Sequence, residues 1–263
     1  MKRFDHIISL GYFCSVASDL ERLGLRSASS PFDWCISNFE GVISAIGHRF
    51  DGFLDYGLLS QSTAEGKDYF NSRYRIWFFH DFDEYRPLGK QLDAVAAKYK
   101  RRIDRFYENI SHPTLFIRYI SNETVNQDGK SEELDFIEHH YDDIVSLLKS
   151  FNGENEIIFL ANREVESEMI DIYPVSVDEN DIVARKPLEK NGELYDYLMS
   201  IGYDRRAGNL KVYCQKQERA NRPMTVFSQK LKGYLRTVFF RPYHHVRQVS
   251  PGTKQRECEE FTR

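Results

Sequence analysis

Apolar and polar positions along this chain follow two rhythms that take turns. Ile7, Ile8 and Leu10 form an apolar run of strand length. Gly11 permits a sharp turn, and Val16, Ala17, Leu20 and Leu23 then recur at helical spacing over residues 14–25, with Gly24 as a stop. A second helix follows the N-cap signature Ser37-Asn38-Phe39-Glu40, and residues 51–66 read as a glycine-bearing loop. Residues 74–82 make an aromatic run of about strand length. Residues 88–110 carry Leu92, Val95, Tyr99, Ile103 and Phe106 on one face of a long amphipathic helix. A third strand is predicted at 114–120, a helix at 133–151, a fourth strand at 157–161, a fifth at 182–184, a short helix at 187–201 and a last strand at 210–214. Strands alternating with helices over residues 5–215 predict an α/β fold, a mainly parallel sheet with helices on both faces.

The pattern changes after residue 216. Seven basic residues between Arg219 and Arg247 occur with no acid between Glu218 and Glu257. Phe227, Leu231, Tyr234, Leu235, Val238 and Phe239 share one helical face. The chain therefore divides into an α/β body, 1–216, and a basic amphipathic tail, 217–263. That tail suits peripheral contact with an anionic membrane face or docking to a partner, and equally a helix packed on its own domain.

Composition narrows the class. The 263 residues are 41% hydrophobic, 29% charged and 14% aromatic, with a formal net charge of −4, as in a globular protein with a sizeable core. There is no apolar run of membrane-spanning length and no apolar leader at the N-terminus. The four cysteines, Cys14, Cys35, Cys214 and Cys258, are scattered, which disfavours a disulfide framework or a structural zinc site and fits a reducing cytoplasm. No phosphate-binding glycine loop, no metal-ligand spacing and no nucleic-acid module is present, so the expectation is no cofactor, no metal and no nucleic-acid partner.

What remains is thiol chemistry. Cys14 falls in the first turn of the first helix, where unpaired N–H groups and the positive end of the helix dipole favour a thiolate. A small packed cysteine is the alternative. His80 and Asp81 stand at the end of the aromatic strand, where α/β proteins place their sites. Asp33, between Phe32 and Trp34, is either a site carboxylate or a turn and cap residue. Arg118, inside an apolar strand, either binds an anionic group bidentately or makes a structural ion pair. Asn162 ends the fourth strand. Cys14, His80, Asp33 and Asp81 form the candidate catalytic set, with Asp33, Asn122 or Asn162 able to orient His80. Arg118, Trp34 and Asn162 form the candidate substrate-binding set. The basic positions from Lys98 to Arg105 on the long helix read as a solvated face.

Ile8-Ser9-Leu10-Gly11-Tyr12-Phe13-Cys14, Leu23-Gly24-Leu25-Arg26, Ser30-Pro31-Phe32-Asp33-Trp34 and Phe79-His80-Asp81-Phe82 together resemble a bacterial family of putative papain-like cysteine peptidases, over residues 4 to 165. The resemblance implies Cys14 as nucleophile and His80 as its base, in a hydrolase or acyltransferase associated with surface-polysaccharide assembly. It also implies, as the alternative architecture, a papain-like α+β fold. A non-hydrolytic sugar or sugar-nucleotide binding protein or transferase of polysaccharide assembly is the second functional expectation. The partner expected is a small-molecule, glycan or peptide substrate.

Overall fold

A computed structural model describes residues 3–62, 68–83, 85–178, 181 and 183–201. The strand expected at 210–214 and the basic tail at 217–263 lie outside the described residues. The body is α/β. Its main sheet is parallel, in the order β1-β6-β7-β8, with β1 at His6–Ser9, β6 at Thr114–Tyr119, β7 at Glu156–Asn162 and β8 at Ile172–Val175. Every residue of β6 is buried, as expected of a strand covered on both faces.

Successive strand side chains point to opposite faces, and the two faces feed two cores. Ile8, Phe116 and Phe159 join one core, which α2 (Phe39–Gly47), α3 (Leu88–Ile110) and α4 (Glu132–Phe151) cover with Phe39, Tyr99, Phe106 and Leu148. Ile7, Leu115, Ile117 and Leu160 join the other, under α1 (Cys14–Arg22) and α5 (Gly192–Ser200), which contribute Leu20, Leu194 and Leu198. The parallel sheet with helices on both faces thus stands as the sequence pattern implies.

A second sheet was not legible in that pattern. It is antiparallel, in the order β2-β5-β4-β3, with β2 at Cys35–Ser37, β3 at Leu59–Gln61, β4 at Tyr69–Asn71 and β5 at Ile76–Phe78. Each of these strands has three residues, too few to display a period of two. The aromatic strand expected over 74–82 is therefore shorter than its apolar run and stops at Phe78. Of the strand expected at 182–184, the described residues Val183 and Ala184 are buried but irregular, in no strand. The fourth strand of the parallel sheet lies at 172–175 instead, on the sheet edge, where Pro174 is tolerated.

Arg118 joins the two sheets. It is fully buried and all its N–H donors are used. Nη1 donates to the Leu10 carbonyl at 2.8 Å and to Ser37 Oγ at 2.9 Å. Nη2 donates to the Ser37 carbonyl at 2.8 Å and to Glu133 Oε2 at 2.7 Å, and Nε to Glu133 Oε1 at 2.8 Å. Ends of β1 and β2 and the start of α4 are so tied to the middle of the main sheet. Gly11, at φ 86°, lies against this knot, and a Cβ there would sit 2.3 Å from Ser37 Oγ and 2.9 Å from Arg118 Nη1. Backbone conformation and close approach both demand glycine there.

Candidate functional site

Cys14 is the first helical residue of α1, five residues past the carboxyl end of β1 and after a turn that contains Gly11. Phe13 occupies the N-cap and offers no side-chain acceptor, so the N–H groups of the first turn keep no side-chain cap. The residue retains partial exposure, yet its thiol is enclosed. Burial pushes the Cys14 thiol up to about 12, and a hydrogen bond with its own backbone opposes this only in part. Desolvation therefore outweighs the helix-start field that the sequence suggests, and the resting group is a neutral thiol. Cys35 is also free, wholly buried, and raised further by the same cause.

Asp33 is fully buried and serves the turn around it. Its Oδ2 accepts from the Ser30 N–H at 2.9 Å and from Arg26 Nη1 at 2.6 Å, while Oδ1 is buried without a hydrogen-bond partner. Burial raises its carboxyl to about 6 despite the attraction of Arg26. Arg26 bridges back to α1, where Nη2 meets Glu21 Oε2 at 2.5 Å. The same guanidinium lies over the Trp34 ring, 5.5 Å from its centroid. The Trp34 and His80 rings stand edge to face, with centroids 6.2 Å apart and an interplanar angle of 89°. Asp33, Arg26, Trp34 and His80 thus form one continuous series. It connects to α1 through Glu21, about two turns along the helix from Cys14.

Asp81 faces away, toward α3. Its Oδ2 accepts from the Tyr99 hydroxyl at 2.7 Å, its Oδ1 is bonded to Lys98 Nζ, and Arg102 Nη1 lies 3.8 Å from the same oxygen. Lys100 and Arg101 are exposed, as a solvated face requires, whereas Lys98, Arg102 and Arg105 are partly enclosed. Arg102 has only 13% of its side chain exposed, and Arg105 reaches the Ser29 carbonyl at 3.3 Å. In this quarter Arg102 Nη1 and Arg105 Nε are buried without a hydrogen-bond partner.

Arg118, expected either to bind a ligand or to form an ion pair, is enclosed by Glu133, Ser37 and Leu10, with Phe39 under its plane at 5.0 Å. Asn162 ends β7, where its Oδ1 takes the Tyr119 hydroxyl and its Nδ2 lies 3.4 Å from Asn122 Oδ1. Tyr119 in turn accepts from the Ala184 N–H at 3.3 Å. Exposed His80 borders an open cleft of about 570 Å³ with Tyr85, Arg86 and Asp83, over the start of α3. Among the described residues no group of three or more His, Cys, Asp or Glu side chains is placed to hold a metal, and no described helix is long and apolar enough to cross a membrane.

Three residues in these networks were not singled out from the sequence. Arg26 stands in the sequence as the last residue of Leu23-Gly24-Leu25-Arg26 with nothing to mark it, yet it contacts Glu21, Asp33 and Trp34. Glu133 shares the inward face of its helix with Ile137, four residues on, and a carboxylate at such a position signals a buried cation. Tyr99 stands on the apolar stripe of α3, where nothing in the pattern distinguishes its hydroxyl from plain packing.

A family model described as "Putative papain-like cysteine peptidase (DUF1796)" matches residues 5–152. An uncharacterized protein of Acanthamoeba polyphaga mimivirus is 30% identical over 182 residues, covering 61% of this chain and 79% of the viral protein. No solved structure matches the chain. The matched segment holds Cys14, Asp33, Trp34, His80, Asp81 and Arg118, while Asn162 lies past its end. The bacterial attribution drawn from the sequence motifs has no support here, since this relative is viral.

Proposed function

Because the chain belongs to the putative papain-like cysteine peptidase family, we propose that it is a thiol-dependent hydrolase or acyltransferase with Cys14 as nucleophile and His80 as the base. The observation that carries this reading is the uncapped start of α1 at Cys14, next to the carboxyl end of β1. A thiol held near 12 is almost wholly protonated at neutral pH, so attack requires its proton to leave as the new bond forms. His80 takes that proton while Sγ adds to the carbonyl carbon of the substrate. The carbonyl oxygen becomes an oxyanion, which first-turn N–H groups of α1 are suited to receive. As the tetrahedral adduct collapses, the bond to the leaving group breaks and the imidazolium returns the proton to that group. Water, or an acceptor alcohol or amine, then gives its proton to His80, attacks the thioester and releases Cys14 as a thiol. Residues 79–82 form bends rather than strand or helix, and this segment must bring the imidazole within about 3 Å of Sγ for proton transfer. The substrate is an acyl-bearing small molecule, glycan or peptide. The link to polysaccharide assembly and the sugar-nucleotide alternative rest on the family resemblance alone and form no part of this proposal.

The test is acylation by p-nitrophenyl acetate. The expected result is a burst of p-nitrophenol with the acetyl group on the Cys14 peptide, lost in Cys14→Ala and slowed about 100-fold or more in His80→Gln, the scale of a removed general base. A burst that survives in Cys14→Ala, or acetyl found on another residue, overturns the proposal.

A further inference from the structure

We propose that Trp34 and Arg26 are positioning residues for His80, and that they fix the imidazole relative to the helix that carries Cys14. The inference rests on the reading of His80 as base and extends it to side chains that touch neither the thiol nor its substrate. Three observations support it.

First, Arg26 is held on two edges. Nη1 meets Asp33 Oδ2 at 2.6 Å and Nη2 meets Glu21 Oε2 at 2.5 Å, and only 8% of the side chain is exposed. A planar guanidinium can bond two carboxylates along its edges while presenting its face to an aromatic ring, whereas an ammonium cannot do both. Second, that face lies 5.5 Å from the Trp34 centroid, within cation–π range. Third, Trp34 meets His80 in a near-perpendicular contact, 6.2 Å between centroids at 89°. The series begins on α1, since Glu21 belongs to that helix. α1 is itself fastened to the body through Asp19, which accepts from the Leu188 N–H at 2.9 Å, and through Arg22, which pairs with Glu189 at 2.6 Å. The imidazole is thereby referenced, through one aromatic ring and one guanidinium, to the element whose first residue is the nucleophile.

Asp33 and Asp81 do not provide this function directly. Asp33 spends Oδ2 on Ser30 and Arg26, and Asp81 spends both oxygens on α3. Among the described residues, Asp83 and Arg86 also line the cleft that His80 borders, and Lys98 and Arg102 of α3 lie against Asp81. Trp34 and Arg26 connect the His80 ring to the carboxylates of Asp33 and Glu21. Trp34 thereby supports the base rather than contacting substrate.

The experiment follows alkylation of Cys14 by iodoacetamide across pH in the full chain, with melting temperature in parallel. Trp34→Leu and Arg26→Lys are each expected to slow alkylation about tenfold or more at neutral pH, the scale of a misplaced catalytic group, and Trp34→Phe to restore most of the rate. Trp34→Leu is expected to add nothing in a His80→Gln background, because its whole effect passes through the imidazole. A Trp34→Leu effect equally large in His80→Gln overturns the inference, as does a Trp34→Phe variant no faster than Trp34→Leu at equal melting temperature. If His80→Gln leaves the alkylation rate unchanged, the reading of His80 as base fails, and positioning is then judged alone by NMR relaxation of the His80 ring. Greater ring mobility in Arg26→Lys and Trp34→Leu, but not in Trp34→Phe, supports the positioning role; unchanged mobility in all of them overturns it.

Discussion

Arg118 with Glu133 and Arg26 with Asp33 are both guanidinium–carboxylate pairs removed from water, yet their surroundings differ. Around Arg118 every donor has an acceptor, and the Glu133 carboxylate is gripped on both oxygens. Around Asp33 one carboxylate oxygen has no partner, and nearby Arg102 and Arg105 each keep a buried N–H group without a hydrogen bond. A satisfied buried network specifies one arrangement of the backbone, because any shift leaves a charge unpaired. An incompletely satisfied one is held by fewer bonds, with an acceptor of Asp33 and donors of Arg102 and Arg105 unspent. The first region is a joint between sheets; the second supports the residue proposed to carry a proton.

The largest expected effect comes from breaking the joint. Arg118→Met strands Glu133, and urea unfolding should show a loss of about 3–5 kcal/mol, the cost of removing one partner of a buried pair. A loss below about 1 kcal/mol would mean that the network is not the joint described.

Asp33 gives the next effect, and its sign is set by burial. Burial raises its folded carboxyl to about 6, above the ordinary 3.8, so between those values the folded chain binds more protons than the unfolded one. The contribution of Asp33 to stability is therefore fully present in acid and is lost as pH rises from about 4 through about 6. Two pH units correspond to roughly 3 kcal/mol. Denaturation of native chain and Asp33→Asn from pH 4 to 7 should show this decline in the native chain and its absence in the variant. Parallel curves would show that Asp33 is not the group responsible.

The smallest effect is expected at Arg102. Asp81 keeps Lys98 and Tyr99 when Arg102 is removed, so Arg102→Met should lie within about 1 kcal/mol of the native chain. A loss comparable to that of Arg118→Met would erase the contrast between the two regions.

The sequence disclosed β1, β6 and β7 of the parallel sheet, each an apolar run set against a helix with a clear period, but not the edge strand β8, whose four residues include Pro174. The apolar stripe of α3 locates that helix at 88–110, and the structure agrees at both ends. The antiparallel sheet stayed hidden because a three-residue strand owes its existence to partners far along the chain, as Cys35–Ser37 does to Ile76–Phe78. The cysteine could be placed at a helix start from Gly11 and the spacing that follows. Its enclosure could not, since burial of the thiol depends on the tertiary surroundings of α1, and that enclosure reverses the expected direction of its acidity. For the basic residues of α3, periodicity named the apolar face but not what would cover its flanks, and Asp81 covers one of them.

The Arg118 joint also sets an order of events during synthesis. Ser37 waits for a partner 81 residues downstream and Leu10 for the same side chain 108 residues downstream. A ribosome adding roughly 5–20 residues per second needs on the order of 4–16 s to make the stretch from Ser37 to Arg118. Throughout that interval β1, α1 and β2 exist without the strand that orders them, their apolar faces uncovered. The first quarter of the chain is accordingly the part whose apolar surface waits longest for its cover, and once Arg118 emerges a single side chain closes both long loops together.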